Sequence, residues 1–504
     1  MRFRTETGKI VFYAICFILT QSLLVSYVHI SRAKSSPAQK YVNSSSKNSL
    51  FNKPKHPRLD SVLSKLVDIF RNDGRNAAEK FAQARNLKLS KDKILVELTL
   101  LPAHSTADIP RAILDRCSAN ICSISRHFIL VQVPIDCLTE LAREVKGLSL
   151  IHRPYPIFAD VVSEGVDLIG VPIFHQGHVK GEGARLAIID TGFRDWEDVA
   201  IRNELPVFPT IRNFTDEDIE SGGQHGTAVG EILYDCAPDA EYYIIKIDDD
   251  ADFENAVQYA IDEEIEIICM SLSWFIPFGD YYRGDDLFSQ IVNDAFNQGV
   301  LFVKSAGNYA TQHYRARFDA DDDDNRHRFE DDNQVNHFGL DEGDFIEFRR
   351  NDEIVVSLVW DDFPQTDQDY DLELVYLTDD EWEIVEISNN RQDGEQPPSE
   401  FIEYLVEESG RYGVRVLRFD GEEEMDFTIF ANRDLAYHHP EGSIGVPGMA
   451  ENIMAVAAIN YIDWNEDDVE QEFYSSQGPT YDGRLKPVSV RLSTIFHLIA
   501  LLSS

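Results

Sequence analysis

Two polar residues that could form an acid–base pair stand beside segments that predict regular structure. Asp190 ends the apolar run 186–189, and such a run with β-branched residues is typical of a strand buried in a parallel sheet. His225 follows a glycine-rich stretch and begins a segment of small and apolar residues that predicts a helix. A buried aspartate can hold a histidine in the tautomer of a general base for a hydroxyl. For either residue alone, the alternatives are a capped turn at Asp190 and a structural role for His225.

Asn308 is a third candidate, because it follows the predicted strand 300–303 and a Ser-Ala-Gly turn. A carboxamide that points into the same cleft can stabilise an oxyanion, and removing one such donor typically costs about 3 to 4 kcal/mol in acyl transfer. The alternative for Asn308 is an ordinary turn residue.

Predicted strands and helices alternate around these residues. The strands are 186–189, 242–247, 265–272 and 300–303, and the helices follow His225 and cover 252–262 and 287–298. This alternation predicts an α/β fold with a doubly wound, mostly parallel sheet. The carboxyl ends of such strands form the edge at which open α/β sheets bind ligands, which is where Asp190 is expected.

Four sequence blocks in a fixed order carry a family resemblance. They are AIIDTGF around Asp190, HGTAVGEI around His225, SAGN ending at Asn308, and SSQGPTYDGRLKP at 475–487. Together they resemble the subtilisin-like serine peptidases (subtilases, peptidase S8 family). The resemblance implies a serine endopeptidase, with no required cofactor, in which Asp190 orients His225, His225 activates a serine and Asn308 helps form the oxyanion hole.

The same resemblance implies how a peptide or protein substrate is bound. Ser271, Leu272 and Ser273 lie where the family has a substrate-pairing Ser-Leu-Gly segment, so recognition by strand addition is expected. Ser273 replaces the family's glycine, which changes the fine shape of this subsite.

The nucleophile block of the family is missing from the sequence. No Gly-Thr-Ser-x-Ala-x-Pro occurs in the 504 residues, and Ser493 and Ser503 lack its context. We therefore expect a chain truncated before the catalytic serine and inactive as written. The alternative is an exported pseudoprotease or surface protein-binding module.

The amino terminus predicts export. Arg2, Arg4 and Lys9 precede the uncharged stretch 10–30, which is about long enough to cross a bilayer. We expect an extracellular or membrane-anchored protein whose N-terminal segment contacts the membrane. The predicted organisation is a signal peptide or signal anchor (1–35), a polar spacer with a short helix (36–90), a propeptide-like α+β unit (91–155), a subtilisin-like domain in two parts (160–317 and 437–487), an inserted acidic antiparallel β-sandwich (318–436) and an atypical tail (488–504).

Residues 91–155 show the order βαββαβ of a split βαβ motif. By its position this unit resembles the family's propeptide, which assists folding and blocks the cleft. A disulfide between Cys117 and Cys122 is one expectation for an exported protein, and buried free cysteines are the alternative.

The large negative charge of the chain argues against nucleic acid as a partner. Lys and Arg number 46 against 88 Asp and Glu, giving a net charge of −42, so binding to duplex nucleic acid is not expected. The acidic stretch of the β-sandwich offers candidates for a structural Ca²⁺, with a solvated acidic loop as the alternative. The candidate ligands are Asp367, Asp369 and Asp371, with Asp361 and Asp362 beside them.

Overall fold

The computed structural model describes residues 58–85, 87–90, 93–155, 158–159, 166, 168–275, 279–320, 324–330, 333–379, 381–459 and 471–487. The predicted export segment 1–35 and the tail 488–504 lie outside these residues. Within the described ranges, no helix has the length and apolar character needed to cross a membrane.

Residues 58–155, called the N-terminal unit below, combine an antiparallel sheet with helices. The helices are α1 Ser61–Asp73, α2 Arg75–Ala84, α3 Arg111–Arg116 and α4 Leu138–Glu144, with short 3₁₀ helices at Thr106–Asp108 and Ile135–Cys137. The strands are β1 Leu89–Ser90, β2 Lys93–Leu100, β3 Asn120–Ile124, β4 Phe128–Pro134 and β5 Leu148–His152. Strand β2 pairs with β1, β4 and β5, and β4 pairs with β3. The predicted order of strands and helices in βαββαβ is confirmed.

Helices α1 and α2 belong to the same packed body as this sheet. Leu63, Leu66 and Val67 of α1 share one apolar core with Ile94 and Val96 of β2. Asp60 caps α1 by accepting a hydrogen bond from the Leu63 backbone N–H at 2.6 Å. The packed unit therefore begins well before residue 91.

A disulfide in this unit differs from the predicted one. Cys117, which follows α3, is bonded to Cys137, which precedes α4, and their Cα atoms are 5.7 Å apart. Cys122 lies exposed on β3. The prediction of a Cys117–Cys122 bond was wrong because it used sequence proximity alone, whereas the contact between α3 and α4 decides which sulfur is in reach.

Replacing Cys117 by serine is expected to lower the free energy of unfolding of the N-terminal unit by about 3 kcal/mol, because the bond closes a loop of about 20 residues. Urea denaturation of the full chain followed by a probe in this unit measures the change. Cys122→Ser is the matched control and should have little effect. Equal stability of both variants would contradict a stabilising role for the bond.

The chain then forms the first part of an α/β body. Its helices are α5 Val171–Gln176, α6 Trp196–Ile201, α7 His225–Cys236, α8 Asp250–Asp262 and α9 Leu287–Asn297, with a 3₁₀ turn at Tyr281–Arg283. Its strands are β6 Phe158–Ala159, β7 Arg185–Asp190, β8 Thr210–Asn213, β9 Glu241–Lys246, β10 Ile267–Met270, β11 Leu272–Ser273, β12 Gly279–Asp280, β13 Asp285–Asp286 and β14 Leu301–Ser305.

A β-sandwich follows β14. One four-stranded sheet has the order β15-β22-β17-β20 and the other β16-β21-β18-β19, and both are antiparallel. The strands are β15 His313–Arg317, β16 Asn336–His337, β17 Glu353–Trp360, β18 Asp369–Leu377, β19 Trp382–Ser388, β20 Ser399–Leu405, β21 Tyr412–Asp420 and β22 Asp426–Ala431. The sequence of this insertion predicts seven strands, at 345–348, 354–360, 372–377, 382–387, 401–406, 412–419 and 425–430. Six of them are present. The seventh, at 345–348, is wrong, since only a single bridge joins Phe348 to Gly410.

Strand β23 Ile453–Val456 returns the chain to the α/β body and completes its central sheet. The order is β23-β14-β10-β7-β9-β8, and every neighbouring pair is parallel. Along β7, Ala187 and Ile189 face a core with α8 and α9, whereas Leu186 and Ile188 face a core with α6 and α7. Successive side chains of a strand point to opposite faces of the sheet, and helices cover both faces of β7. The run 186–189 is therefore apolar at every position. The predicted fold class, a doubly wound sheet with an inserted β-sandwich and an N-terminal α+β unit, is confirmed.

Candidate active site

Asp190 and His225 meet at the carboxyl-terminal edge of the central sheet. Asp190 is the last residue of β7 and is fully buried, and His225 is the first residue of α7 and 9% exposed. Asp190 Oδ2 lies 2.5 Å from His225 Nδ1, and Asp190 Oδ1 accepts a hydrogen bond from the Thr191 backbone N–H at 2.8 Å. Since a carboxylate only accepts hydrogen bonds, Nδ1 carries a proton, and Nε2 is the ring nitrogen that can act as a base.

A close approach of backbone to side chain sets this geometry. The Gly226 backbone N–H donates to Gly192 O at 3.1 Å. A Cβ on residue 226 would lie 2.7 Å from Asp190 Cβ and 2.6 Å from the Phe193 ring. Only glycine therefore lets α7 begin so close to the end of β7.

Asn308 follows β14 by three residues and is half-buried. Strands β14 and β7 are parallel and separated by β10, so Asn308 lies beyond the same edge of the sheet as Asp190. The turn that carries it is fixed by Ser476, whose Oγ accepts from the Tyr309 backbone N–H at 3.0 Å and whose own N–H donates to Gly307 O at 2.8 Å. Ser476, from the sequence block 475–487, thus positions the SAGN block that ends at Asn308.

Strand β11 lies beside this edge and already has a partner. Leu272 and Ser273 pair in antiparallel register with Ala159 and Phe158 of β6. Both β11 residues are buried, as is Ser271. The segment predicted to receive a substrate strand therefore receives, in this structure, a strand from the chain's own sequence just after the N-terminal unit.

Comparison with known proteins gives the family. Residues 181–334 match the sequence model described as the subtilase family. The α/β body, to which most of these residues belong, therefore resembles the subtilases and is called the subtilase domain below. The chain is 27% identical over 177 residues to the thermostable alkaline protease of Halalkalibacterium halodurans, covering 32% of this chain and 46% of that protein. It is 29% identical over 187 residues to the major intracellular serine protease of Bacillus subtilis, covering 33% and 55%. The chain thus spans about half the length of the curated relatives it matches.

Among solved structures, the chain is similar to the epidermin leader peptide processing serine protease of Staphylococcus aureus. The sequence identity is 14% and the TM-score 0.33, and the match covers 44% of this chain and 62% of that chain. At this level of similarity, the family assignment rests on the sequence matches.

Two buried lysines support the subtilase site and were missed by the sequence reasoning. Lys246 ends β9 beside Asp190, is 2% exposed, and donates to Asp218 O at 2.6 Å and to Ser221 Oγ. It holds the glycine-rich loop that leads into His225. Lys304 on β14 is fully buried and donates to Ser273 Oγ at 2.7 Å. Both lysines follow the apolar residues of a predicted strand, and this position in the sequence could have identified them as buried residues near the site.

The calcium candidates are not brought together as a cluster. Among the described residues, the only group of three or more His, Cys, Asp or Glu with closely spaced ligand atoms is Cys117, Cys137 and Glu140, whose cysteines form the disulfide. Asp367 is exposed, whereas Asp369 and Asp371 are buried on β18. A structural Ca²⁺ therefore stays a prediction, and a thermal unfolding midpoint that falls on adding a chelator is its check.

Gly226→Ala is expected to destabilise the subtilase domain by about 2 kcal/mol, because the added methyl group overlaps Asp190 and Phe193 and forces α7 away from β7. Urea denaturation measures the loss. Gly223→Ala is the matched control, since its Cβ would meet its nearest neighbour, the His225 backbone N, at an ordinary 3.7 Å. Equal midpoints for the two variants would contradict the role given to Gly226.

Proposed function

We propose that the subtilase domain is the scaffold of an exported serine endopeptidase that hydrolyses peptide bonds by acyl transfer. The observation that carries this proposal is the buried contact of 2.5 Å between Asp190 Oδ2 and His225 Nδ1. The disulfide between Cys117 and Cys137 supports export, because such bonds persist in oxidising compartments. Contact of the N-terminal segment with a membrane stays part of the same proposal.

In this mechanism, His225 Nε2 takes the proton of a serine hydroxyl as its oxygen attacks the peptide carbonyl carbon. The Asp190 carboxylate stabilises the resulting imidazolium, and the Asn308 amide donates to the oxyanion of the tetrahedral intermediate. His225 then gives the proton to the leaving amine nitrogen, which departs and leaves an acyl-enzyme. Water deprotonated by His225 attacks the ester carbon, and the proton returns to the serine oxygen.

We further propose that a polypeptide of these 504 residues carries out none of these steps efficiently, because its sequence contains no Gly-Thr-Ser block. Removing a triad member typically leaves only residual catalysis from oxyanion stabilisation and binding.

The N-terminal unit is proposed to act as the propeptide. Strand β6, which follows this unit, occupies the edge of β11 that a substrate strand would use. A peptide substrate and β6 would therefore compete for the same backbone hydrogen-bonding groups. Detachment of the N-terminal unit and β6 is expected to precede substrate binding.

Hydrolysis of a chromogenic peptide tests the proposed function on two polypeptides. One is the 504-residue chain freed of its N-terminal unit, and the other has the sequence after Pro487 replaced by the nucleophile-bearing segment of the Bacillus subtilis relative. We expect turnover only from this second chain, called the completed chain below. Turnover by the first would mean that a nucleophile is present. A folded completed chain without turnover would mean that Asp190 and His225 do not work as a dyad.

A further inference from the structure

The N-terminal unit meets the β-sandwich through a row of arginine–glutamate pairs. Arg85 forms an ion pair with Glu386, and their side chains are 12% and 7% exposed. Arg153 Nε lies 3.7 Å from Glu403 Oε2, with side chains 7% and 13% exposed. At such burial a charge pair is screened far less than on an open surface. The outer pairs of the row are more exposed: Arg58–Glu395 at 3.1 Å and Arg85–Glu407 at 3.6 Å.

Aromatic rings of the β-sandwich lie under the same arginines. The Arg153 guanidinium carbon is 5.3 Å from the Phe401 ring centre, and that of Arg85 is 5.7 Å from the Tyr404 ring centre. Both rings belong to β20, which also carries Glu403. The Tyr155 ring packs 4.5 Å from Phe401. Carboxylates beside aromatic faces suit a planar guanidinium, which can pair and stack at once.

The charges of the two bodies are also complementary. Residues 58–155 contain 15 Lys and Arg against 11 Asp and Glu, whereas residues 318–436 contain 9 Arg and no Lys against 37 Asp and Glu. A basic unit in a strongly acidic protein is therefore seated against the most acidic part of that protein. Such an arrangement steers association and suppresses wrong partners.

A second surface of the N-terminal unit binds the subtilase domain independently of this row. Ser123 Oγ donates to Asp252 Oδ1 at 3.1 Å, and His127 Nδ1 lies 2.9 Å from Glu254 Oε1, both on α8. The unit thus bridges α8 and the β-sandwich. Cutting the chain after β6 would remove neither set of contacts.

We propose that the β-sandwich surface formed by Glu386, Glu395, Glu403 and Glu407 with Phe401 and Tyr404 is a docking surface for the N-terminal unit, and that it retains this unit after the chain between them is cut. The proposal rests on the proposed function in taking residues 58–155 as the propeptide. It gives the inserted β-sandwich a partner, which is the arginine-bearing face of the chain's own N-terminal unit. Release of that unit then requires the ion pairs to be broken, in addition to cleavage.

The test uses the full chain with the recognition sequence of a site-specific protease inserted between residues 163 and 164. After cutting, the N-terminal unit should co-elute with the rest of the chain in gel filtration. Arg85→Glu with Arg153→Glu is expected to raise its dissociation rate about 100-fold, because truncated buried charge pairs act mainly on dissociation. Adding Glu386→Arg and Glu403→Arg to the same chain should restore retention to within about tenfold of the original.

Arg111→Glu with Arg143→Glu is the matched control, since it makes the same change of charge at two exposed positions of the N-terminal unit. It should alter the dissociation rate by no more than about threefold. Retention in the Arg85 and Arg153 variant equal to the original would overturn the proposal, as would equal release in the control. If that variant does not fold, Glu386→Arg with Glu403→Arg alone breaks the same pairs from the other side and must release the unit.

Retention is measured without peptidase activity, so the outcome separates the two proposals. A unit that stays bound but does not inhibit the completed chain would overturn the propeptide role and leave the docking surface standing. A unit that inhibits but leaves at once after cutting would overturn the docking surface alone.

Discussion

His225→Ala in the completed chain is expected to lower kcat/KM for a peptide substrate by about 10⁴-fold or more, because no other group then takes the proton of the attacking hydroxyl. Asp190→Asn is expected to cost about 10⁴-fold while leaving the fold intact, since an amide at this position would favour the wrong imidazole tautomer. Steady-state kinetics on chains freed of the N-terminal unit measure both effects.

Asp198→Asn is the control for these variants, because it removes a carboxylate from an exposed position of the neighbouring helix α6. Its kcat/KM should stay within about twofold of the parent chain. The double variant of His225 and Asp190 should be no worse than His225→Ala alone, since residues that act as a unit are not additive. Independent, additive losses would contradict a shared role for the buried pair.

The second large effect is a loss of stability with rising pH at the contact between the N-terminal unit and α8. Glu97 of β2 is fully buried, and its carboxyl group lies beside that of Asp250 at the start of α8. Burial, followed by the charges of Asp250 and Asp249, raises the pKa of Glu97 well above its ordinary value. Burial also raises the pKa of Asp250 and of Asp252 to about 7. These carboxyls therefore hold protons in the assembled protein that they would lose once exposed to water.

The raised pKa values of these carboxyls determine that stability falls as pH rises. A carboxyl with a raised pKa in the assembled state contributes its full stability below its ordinary pKa near 4, and loses that contribution as pH rises through about 7. The free energy that holds the unit to α8 should fall by about 2 kcal/mol or more between pH 5 and pH 8. Glu97→Gln keeps the shape, removes one acid and should flatten this dependence.

Urea denaturation and the dissociation rate of the cut N-terminal unit, each measured from pH 5 to pH 8, check this prediction. Other charged groups face the same contact, namely Asp248, Asp249, Glu254, His127 and Lys88. Glu144→Gln is the control, since Glu144 lies exposed on α4. A pH dependence that is equally steep in Glu97→Gln and in Glu144→Gln would contradict the assignment to the buried acids.

Local sequence determined most of the subtilase domain. The run that ends at Asp190 is apolar at every position because both faces of β7 are covered, and the small residues after His225 are needed because α7 packs against that strand. The apolar run before Asp190 and the small residues after His225 can each be recognised in a stretch of fewer than about ten residues. The pairing of Asp190 with His225, 35 residues apart, then follows from the rule that strand ends and helix starts meet at one edge of the sheet.

Contacts between distant segments were not predictable in the same way. Strand β15 is polar in sequence and is a strand because it pairs with β22, more than a hundred residues further on. Cys117 joins Cys137 rather than the nearer Cys122 because the packing of two helices decides the distance. The segment 345–348, predicted as a strand, makes one bridge, between Phe348 and Gly410, because only isolated backbone hydrogen bonds join it to the segments beside it. In each case the structure of the segment depends on the distant segment that it contacts, which its local sequence does not identify.

Labelling with a fluorophosphonate, which reacts with an activated serine, tests the central claim most directly. The proposal is that Asp190 and His225 form a working pair, and that these 504 residues, which contain no Gly-Thr-Ser-x-Ala-x-Pro block, hold no serine for the pair to activate. We predict no label on the 504-residue chain freed of its N-terminal unit, and labelling of the completed chain that is lost in His225→Ala. Label on the 504-residue chain that disappears in Ser493→Ala would contradict the claim.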